Sequence, residues 1–222
     1  MHGDIREDIS KEQLSYTYLS IISNKLKIGV IGGGKAAYIK VKNFLDKGCN
    51  IEVLALDFIE DFLSLKDLKI IKSAYSRDFI KDKHLIIIAT NDNAINLEIK
   101  KHCEEEYKLY IYSEDYLKGI AIAPVQRESE NISFAVNTKL GNPKGSLILA
   151  KRIKSVINEY DNFIKFSSGI RKNAKSIQEF KESIINFVCS EDFKYIYDKK
   201  KDRLVLEMFF NGDVINKIYN NL

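Results

Sequence analysis

The sequence predicts an α/β fold with a doubly wound parallel sheet, followed by a small dimerisation element and a helical C-terminal domain. Short apolar runs alternate with helical periods between Lys27 and Tyr112, a pattern typical of a parallel sheet covered by helices. Three consecutive glycines, Gly32 to Gly34, separate the first strand from the first helix. This arrangement is typical of the Rossmann type. From Lys144 onward, apolar residues recur at helical spacing.

The first apolar run, residues 28–31, predicts a strand, and the period of Ala37, Val41, Phe44 and Leu45 predicts a helix that ends before Gly48. The same reasoning predicts further strands at 51–56, 68–74, 84–89 and 109–112, and helices at 58–65 and 93–106. The apolar residues 85–88 are consecutive, which indicates a strand that is covered on both faces.

The pattern changes after Ser113. Two further strands are predicted at 120–123 and 132–136, separated by the polar residues 126–131. Helices follow at 144–166, 177–188 and 202–219, with a loop at residues 167–169. We therefore predict three domains: a nucleotide-binding domain at 1–113, a dimerisation and substrate segment at 114–143, and a helical domain at 144–222.

Composition excludes several classes of protein. The chain has 222 residues, 35 Lys and Arg against 31 Asp and Glu, and a net charge of +4 without a basic cluster, so no nucleic-acid partner is expected. No apolar run is long enough to span a membrane. The 3 cysteines have no metal-binding spacing, and their odd number favours free thiols in a reducing cytoplasm.

The glycine turn predicts a dinucleotide site. Residues 32–37 fit the G-x-G-x-x-A pattern, in which the first glycine permits a tight turn, Gly34 lets the backbone approach a pyrophosphate, and Ala37 packs against the strand. The cofactor is predicted to be NAD. The predicted cofactor-binding residues in this turn are Gly32, Gly33, Gly34, Lys35 and Ala36.

Polar residues after the second and fourth strands extend this site. Asp57 could bind a ribose hydroxyl and repel a 2′-phosphate, which favours NAD over NADP, or it could cap the next helix. Thr90, Asn91 and Asp92 lie at the ligand-binding end of the fourth strand, although Asp92 or Asn93 could equally cap the following helix. After the fifth strand, Glu114 or Asp115 could act as a general acid or base, or both could be solvated turn residues. The 3 histidines lack metal-ligand spacing, so no metal site is predicted.

Taken in order, these motifs resemble the precorrin-2 dehydrogenase family, which includes the bacterial enzyme and the N-terminal module of siroheme synthase. The resemblance rests on residues 30–34 with the helix 36–45, on residues 87–92 followed by Asn96, and on an acid followed by Lys118 and Pro124. It covers about residues 20–155. The resemblance implies a Rossmann domain, a central dimerisation element and a helical domain, with two chains interlocked as a homodimer.

The resemblance also implies an activity: oxidation of precorrin-2, a tetrapyrrole, to sirohydrochlorin with NAD+, with iron insertion in some members. The implied catalytic residue is an aspartate in a D-x-x-K context. Asp115 matches with one residue missing before Pro124, whereas ungapped counting selects Glu114. We favour Asp115 as the base that receives a substrate proton while the nicotinamide takes a hydride.

The resemblance places the carboxylate-rich substrate beside a basic region. The predicted substrate-binding residues are Lys118, Arg127, Asn137, Thr138 and Lys139. Residues 137–143 lack the serines that family members carry in this loop, which weakens the expectation of iron insertion. Two alternatives remain open: a non-catalytic module that binds a dinucleotide or tetrapyrrole, and a chelatase that does not use the nucleotide site.

Overall fold

The computed structural model describes residues 15–220, which form two compact units, Tyr16–Ala123 and the part from Pro124 onward. Each unit is described by itself. No helix in residues 15–220 is both long enough and apolar enough to cross a membrane. The predicted division at residues 113 and 143 remains a prediction.

The first unit contains a five-stranded, fully parallel sheet in the order β3-β2-β1-β4-β5. The strands are β1 (Lys27–Ile31), β2 (Asn50–Ala55), β3 (Lys69–Lys72), β4 (Leu85–Ile88) and β5 (Leu109–Tyr112). All five strands match the predicted ones to within a few residues. Ile31 pairs with both Leu54 and Ile88, and Ile88 pairs with Tyr112, so four neighbouring strands end at one level.

Helices cover both faces of this sheet. The helix α1 (Lys35–Leu45) buries Ala37 and Val41 in one core with Val30, whereas α2 (Asn93–Glu105) buries Ile99 in a second core with Ile88. Alternate residues of a strand point to opposite faces, so the two cores lie on opposite sides of the sheet. This arrangement confirms the doubly wound Rossmann-type fold. The helix predicted at 58–65 is only a 3-10 turn at Glu60–Ser64.

The second unit begins with an antiparallel hairpin of β6 (Val125–Glu128) and β7 (Ser133–Val136). The strand predicted at 120–123 is wrong, because these residues form no strand. The Ala121 amide donates to the Tyr110 carbonyl at 3.0 Å, so this apolar stretch follows the edge of β5. The strand β6 is largely exposed, and its residues are mostly polar. The sequence pattern therefore did not identify it as a strand.

Five helices complete the second unit: α3 (Pro143–Ala174), α4 (Lys181–Val188), α5 (Glu191–Asp198), α6 (Asp202–Phe209) and α7 (Gly212–Ile218). The loop predicted at 167–169 is wrong, because α3 continues through it and the Ser167 hydroxyl donates to the Ile164 carbonyl within the helix. The helix predicted at 202–219 is two helices, because the Asn211 side chain caps α7. The sequence reasoning missed α5, although Ser190 caps it.

A buried carboxylate holds the hairpin against α3. Asp161 on α3 accepts hydrogen bonds from the Ser129 hydroxyl and from the Asn131 backbone amide at 2.9 Å. The Asn131 side-chain amide donates to the other carboxylate oxygen at 2.8 Å. These hydrogen bonds, led by that of Ser129, hold the pKa of Asp161 below its usual value. Nearby, Lys165 forms an exposed ion pair with Glu130 at 2.9 Å.

We predict that Asp161→Asn lowers the thermal midpoint by about 4–8 °C at neutral pH, because the amide nitrogen that replaces Oδ2 cannot accept from the Asn131 side-chain amide. The folded pKa is lowered, so this stabilisation is present above the pKa of the unfolded state and is lost as pH falls through the folded pKa. Thermal melts followed by circular dichroism between neutral and acidic pH measure both effects. Glu130→Gln is the control and should change little; an equal loss in that variant would contradict the assignment.

Candidate active site

The candidate site lies at the carboxyl ends of β1, β4 and β5. Backbone hydrogen bonds continue beyond the strands: the Ala89 amide donates to Ile31 at 2.8 Å, and the Ser113 amide donates to Ile88 at 2.9 Å. The Gly32 amide likewise donates to Leu54 at 2.9 Å. The loops that leave these strands are therefore adjacent at the edge where open α/β sheets bind ligands.

Each glycine of the turn meets a different constraint. Gly32 has φ of +129°, and a Cβ there would lie 2.2 Å from the carbonyl oxygen of Ala89. A Cβ on Gly33 would lie 1.9 Å from the carbonyl oxygen of Asp57. A Cβ on Gly34 would meet no atom within 4 Å. The first two glycines therefore allow close backbone packing, whereas Gly34 faces open space.

The start of α1 is suited to a pyrophosphate. Gly34 is its N-cap residue and provides no side-chain hydrogen bond to the first amides of the helix. Such amides and the helix dipole attract anionic groups. Lys35 pairs with Asp61 at 3.2 Å, Ala36 is exposed, and Ala37 is buried against the sheet. The open space at Gly34 and the uncapped helix start fit a bound dinucleotide.

Asp57 lies beside the glycine turn, and its carboxylate faces solvent. Its side chain is 87% exposed and forms an ion pair with Lys72 at 2.9 Å. The nearest 3-10 turn begins at Glu60, with Ile59 as its N-cap residue. The alternative that Asp57 caps a helix is therefore wrong, and ribose binding by Asp57 remains a prediction.

A compact turn follows β4. The Thr90 hydroxyl donates to Oδ1 of Asn96 at 2.6 Å, and the side-chain amide of Asn96 donates to the Thr90 backbone carbonyl at 3.0 Å. Asp92 accepts from the amides of Ala94 and Ile95, so the expectation that it caps α2 is confirmed. Asn91 is exposed. Cofactor binding by Thr90, Asn91 and Asp92 remains a prediction.

The two candidate catalytic acids differ in their surroundings. Asp115 is partly buried, and its Oδ1 accepts from the Leu117 amide at 3.0 Å. Glu114 is exposed and forms no hydrogen bond or ion pair within residues 15–220. Lys118 closes this turn, because its amide donates to the Asp115 carbonyl at 3.0 Å and its ammonium lies 5.5 Å from the centre of the Tyr112 ring.

The sequence reasoning did not identify two polar groups at this end of β5. The hydroxyls of Tyr112 and Ser113 are buried and have no hydrogen-bond partner within the described part of the chain. Ser113 directly follows the strand, next to the candidate acids. No motif marks either residue, because an unsatisfied hydroxyl is visible only in three dimensions.

The remaining predicted substrate residues belong to the second unit. Arg127 is exposed and donates to the Gln126 carbonyl. The Thr138 hydroxyl accepts from the Asn142 amide at 2.6 Å, and thereby supports the residue that caps α3. Asn137 is partly buried and Lys139 is exposed. Substrate binding by these residues and by Lys118 remains a prediction.

The two thiols of the first unit, Cys49 and Cys103, are buried. Cys49, Cys103 and Cys189 are all free. Burial raises the pKa of Cys103 to about 12 and also raises that of Cys49, so both remain protonated and unreactive at neutral pH. Within residues 15–220, no three His, Cys, Asp or Glu side chains form a group that could hold a metal ion.

Comparisons with known proteins agree with this geometry. Residues 19–124 match a family described as putative NAD(P)-binding. A precorrin-2 dehydrogenase from Priestia megaterium is 28% identical over 136 residues, which cover 60% of this chain and 65% of that protein. A siroheme synthase from Psychromonas ingrahamii is 36% identical over 73 residues, which cover 32% of this chain and 16% of that protein. The chain therefore matches less than two thirds of the length of either relative.

A solved structure of SirC, a precorrin-2 dehydrogenase, superposes with a TM-score of 0.62 and 20% identity, and covers 88% of this chain and 100% of that one. At this identity the match establishes the fold. Fold and site together define a Rossmann-type NAD(P)-binding protein with a helical C-terminal region. The chain is similar to precorrin-2 dehydrogenases and siroheme synthases, which confirms the resemblance drawn from its motifs.

We predict that alanine at two adjacent glycines affects different properties, the stability of the fold at Gly33 and the binding of NAD+ at Gly34. Gly33→Ala destabilises the fold by about 2 kcal/mol or more, because its Cβ overlaps the Asp57 carbonyl. Gly34→Ala keeps the fold but weakens NAD+ binding by about tenfold or more, because its methyl group occupies the space into which the pyrophosphate fits. Thermal melting and calorimetric titration with NAD+ measure the two effects. Native affinity in Gly34→Ala, or a native melt in Gly33→Ala, would contradict this division of roles.

Proposed function

We propose that this chain is a NAD-dependent dehydrogenase that oxidises precorrin-2 to sirohydrochlorin. The observation that carries the proposal is the hydrogen-bonded alignment of the glycine turn with the Asp115 turn at one edge of the sheet. Only β4 separates β1 from β5, so the two turns begin about 10 Å apart. The relatives named precorrin-2 dehydrogenase and siroheme synthase support this choice of substrate.

The chain's own residues divide the work of the reaction. Gly32, Gly33 and Gly34 with the first turn of α1 hold the pyrophosphate, and Asp57 and the turn at Thr90 contact the rest of the dinucleotide. When bound, NAD+ accepts the hydride that leaves precorrin-2. Loss of two hydrogens also releases a proton, and Asp115 accepts it. Lys118, in the same turn as Asp115, binds a carboxylate of the tetrapyrrole.

Asp115 suits this role better than Glu114. The hydrogen bond from the Leu117 amide to Oδ1 fixes the Asp115 carboxylate, and Oδ2 has no hydrogen-bond partner within the described residues. An oriented carboxylate with one available oxygen can receive a proton without first reorganising. Glu114 is exposed and is not held in one orientation.

We predict that Asp115→Asn lowers kcat for precorrin-2 oxidation by about 100-fold or more and leaves NAD+ affinity unchanged. Asparagine retains the oxygen that caps the turn, so the variant should fold. The assay mixes the protein with enzymatically generated precorrin-2 and NAD+ and follows NADH and the sirohydrochlorin spectrum. Glu114→Gln is the comparison and should keep most of the activity.

The same assays test the alternative functions and the choice of catalytic acid. If the native chain produces neither NADH nor sirohydrochlorin, the dehydrogenase proposal is wrong, and tight binding without turnover would favour a non-catalytic module. If Glu114→Gln is inactive and Asp115→Asn is active, the two acids exchange roles. Iron insertion into sirohydrochlorin, which the family resemblance suggests for some members, is tested by adding ferrous iron after the oxidation.

We further propose that the enzyme works as a homodimer in the cytoplasm. The first half of α3 exposes a group of apolar side chains that no part of its own unit covers: Leu147, Ile148, Leu149, Ile153 and Val156. A group of exposed apolar side chains on one helix favours a protein partner, and a second copy is the partner that the family resemblance implies. The three free thiols favour a reducing compartment.

We predict that Ile148→Asp converts the dimer to a monomer, because a carboxylate in an apolar interface has no partner. Sedimentation velocity or light scattering after gel filtration measures the mass. Leu204→Asp is the control, because Leu204 is comparably exposed, 56% against 67%, on a different helix. A native chain that is monomeric at all concentrations tested would refute the dimer.

A further inference from the structure

Lys72 is placed to influence which dinucleotide binds. It is the last residue of β3, where it pairs in register with Ala55 at the end of β2. Its ammonium lies 2.9 Å from the Asp57 carboxylate. Both side chains are open to solvent, with 71% of Lys72 and 87% of Asp57 exposed, so a ligand can reach either group.

The backbone connects this ion pair to the nucleotide site. The Asp57 carbonyl occupies the space that a Cβ on Gly33 would take, and the Ile59 amide donates to the Gly33 carbonyl at 3.0 Å. Residues 57–59 therefore form one wall of the glycine turn. Asp57 lies just after the end of β2, and Lys72 lies at the end of the adjacent strand β3. The ion pair is therefore at this wall.

An acid at this place normally selects NAD. Its carboxylate accepts from the ribose hydroxyl and repels the 2′-phosphate of NADP. A lysine bound to that carboxylate changes both effects, because it cancels the negative charge and supplies a donor to a phosphate. Lys35 lies in the glycine turn, but its ammonium pairs with Asp61, so within residues 15–220 Lys72 is the cation that contacts Asp57.

We propose that Lys72 is a specificity-determining residue that lets this site bind NADP as well as NAD, by offsetting the preference that Asp57 imposes. The inference rests on the nucleotide site of the proposed function and concerns only its selectivity. It predicts that the two members of the pair act in opposite directions. Loss of Lys72 strengthens the preference for NAD, whereas loss of Asp57 shifts it towards NADP.

The test measures dissociation constants for NAD+ and NADP+ by calorimetric titration of the full chain, without precorrin-2. We expect Lys72→Gln to raise the ratio of the NADP+ to the NAD+ dissociation constant by about fivefold or more, and Asp57→Asn to lower it by a similar factor. Both changes should shrink at high salt, because the groups are exposed.

Lys69→Gln provides a matched control. Lys69 is on the same strand and is similarly exposed, at 65%, but it pairs with Glu52 at the opposite end of β3. This variant loses the same net charge far from the ribose site and should leave the ratio unchanged. Thermal melts of all three variants should match the native chain, since exposed pairs contribute little to stability.

The outcomes separate this inference from the proposed function. If Lys72→Gln binds NAD+ but has the native ratio, or if Lys69→Gln shifts the ratio equally, the inference is wrong and the dehydrogenase proposal stands. If the native chain binds neither dinucleotide, both are wrong. If the native chain excludes NADP+ as strongly as Lys72→Gln does, the inference is also wrong, whatever the turnover of precorrin-2 with NAD+.

Discussion

The close backbone approach at the glycine turn is the constraint on which the first unit depends. Gly32 packs against the Ala89 carbonyl and Gly33 against the Asp57 carbonyl, so a single turn contacts the loops that follow β4 and β2. A side chain at either position would separate these loops. The same two contacts leave Gly34 facing open space at the start of α1. The turn is therefore tightly packed at Gly32 and Gly33 and accessible at Gly34.

The strand register carries this constraint across the sheet. Because Ile31, Ile88 and Tyr112 end at one level, the chain leaves three neighbouring strands at the same edge. Two of the loops then use the same device: Asp92 after β4 and Asp115 after β5 each accept backbone amides through Oδ1. These caps fix the turns without a large side-chain network. An acid that caps through one oxygen keeps the other for chemistry, so structural and catalytic roles of Asp115 are compatible.

The sequence was informative where local pattern and burial agree. Apolar runs such as residues 85–88 are buried on both faces of the sheet, so their composition identifies them as strands. Prediction failed where tertiary contacts override the pattern: the apolar residues 120–123 form no strand although Ala121 hydrogen-bonds to β5, and β6 is a strand although its exposed residues are polar. The partners of Asp57 and Asp161 could not be predicted either, because Lys72 and Asn131 are distant in sequence. Glycine spacing, in contrast, located the predicted nucleotide turn, because its backbone constraint is local.

The long helix α3 shows how unequally the second unit buries its surface. Its second half supplies Phe163, Ile170 and Ala174 to the helical core, and Phe166 stacks among the rings of Phe193 and Tyr197. Its first half instead exposes apolar side chains, among them Ile148 at 67%. A helix of 32 residues extends well beyond the core that four shorter helices can build around it. The fold therefore leaves most apolar side chains in the first half of α3 exposed, and their burial requires a surface that this unit does not provide.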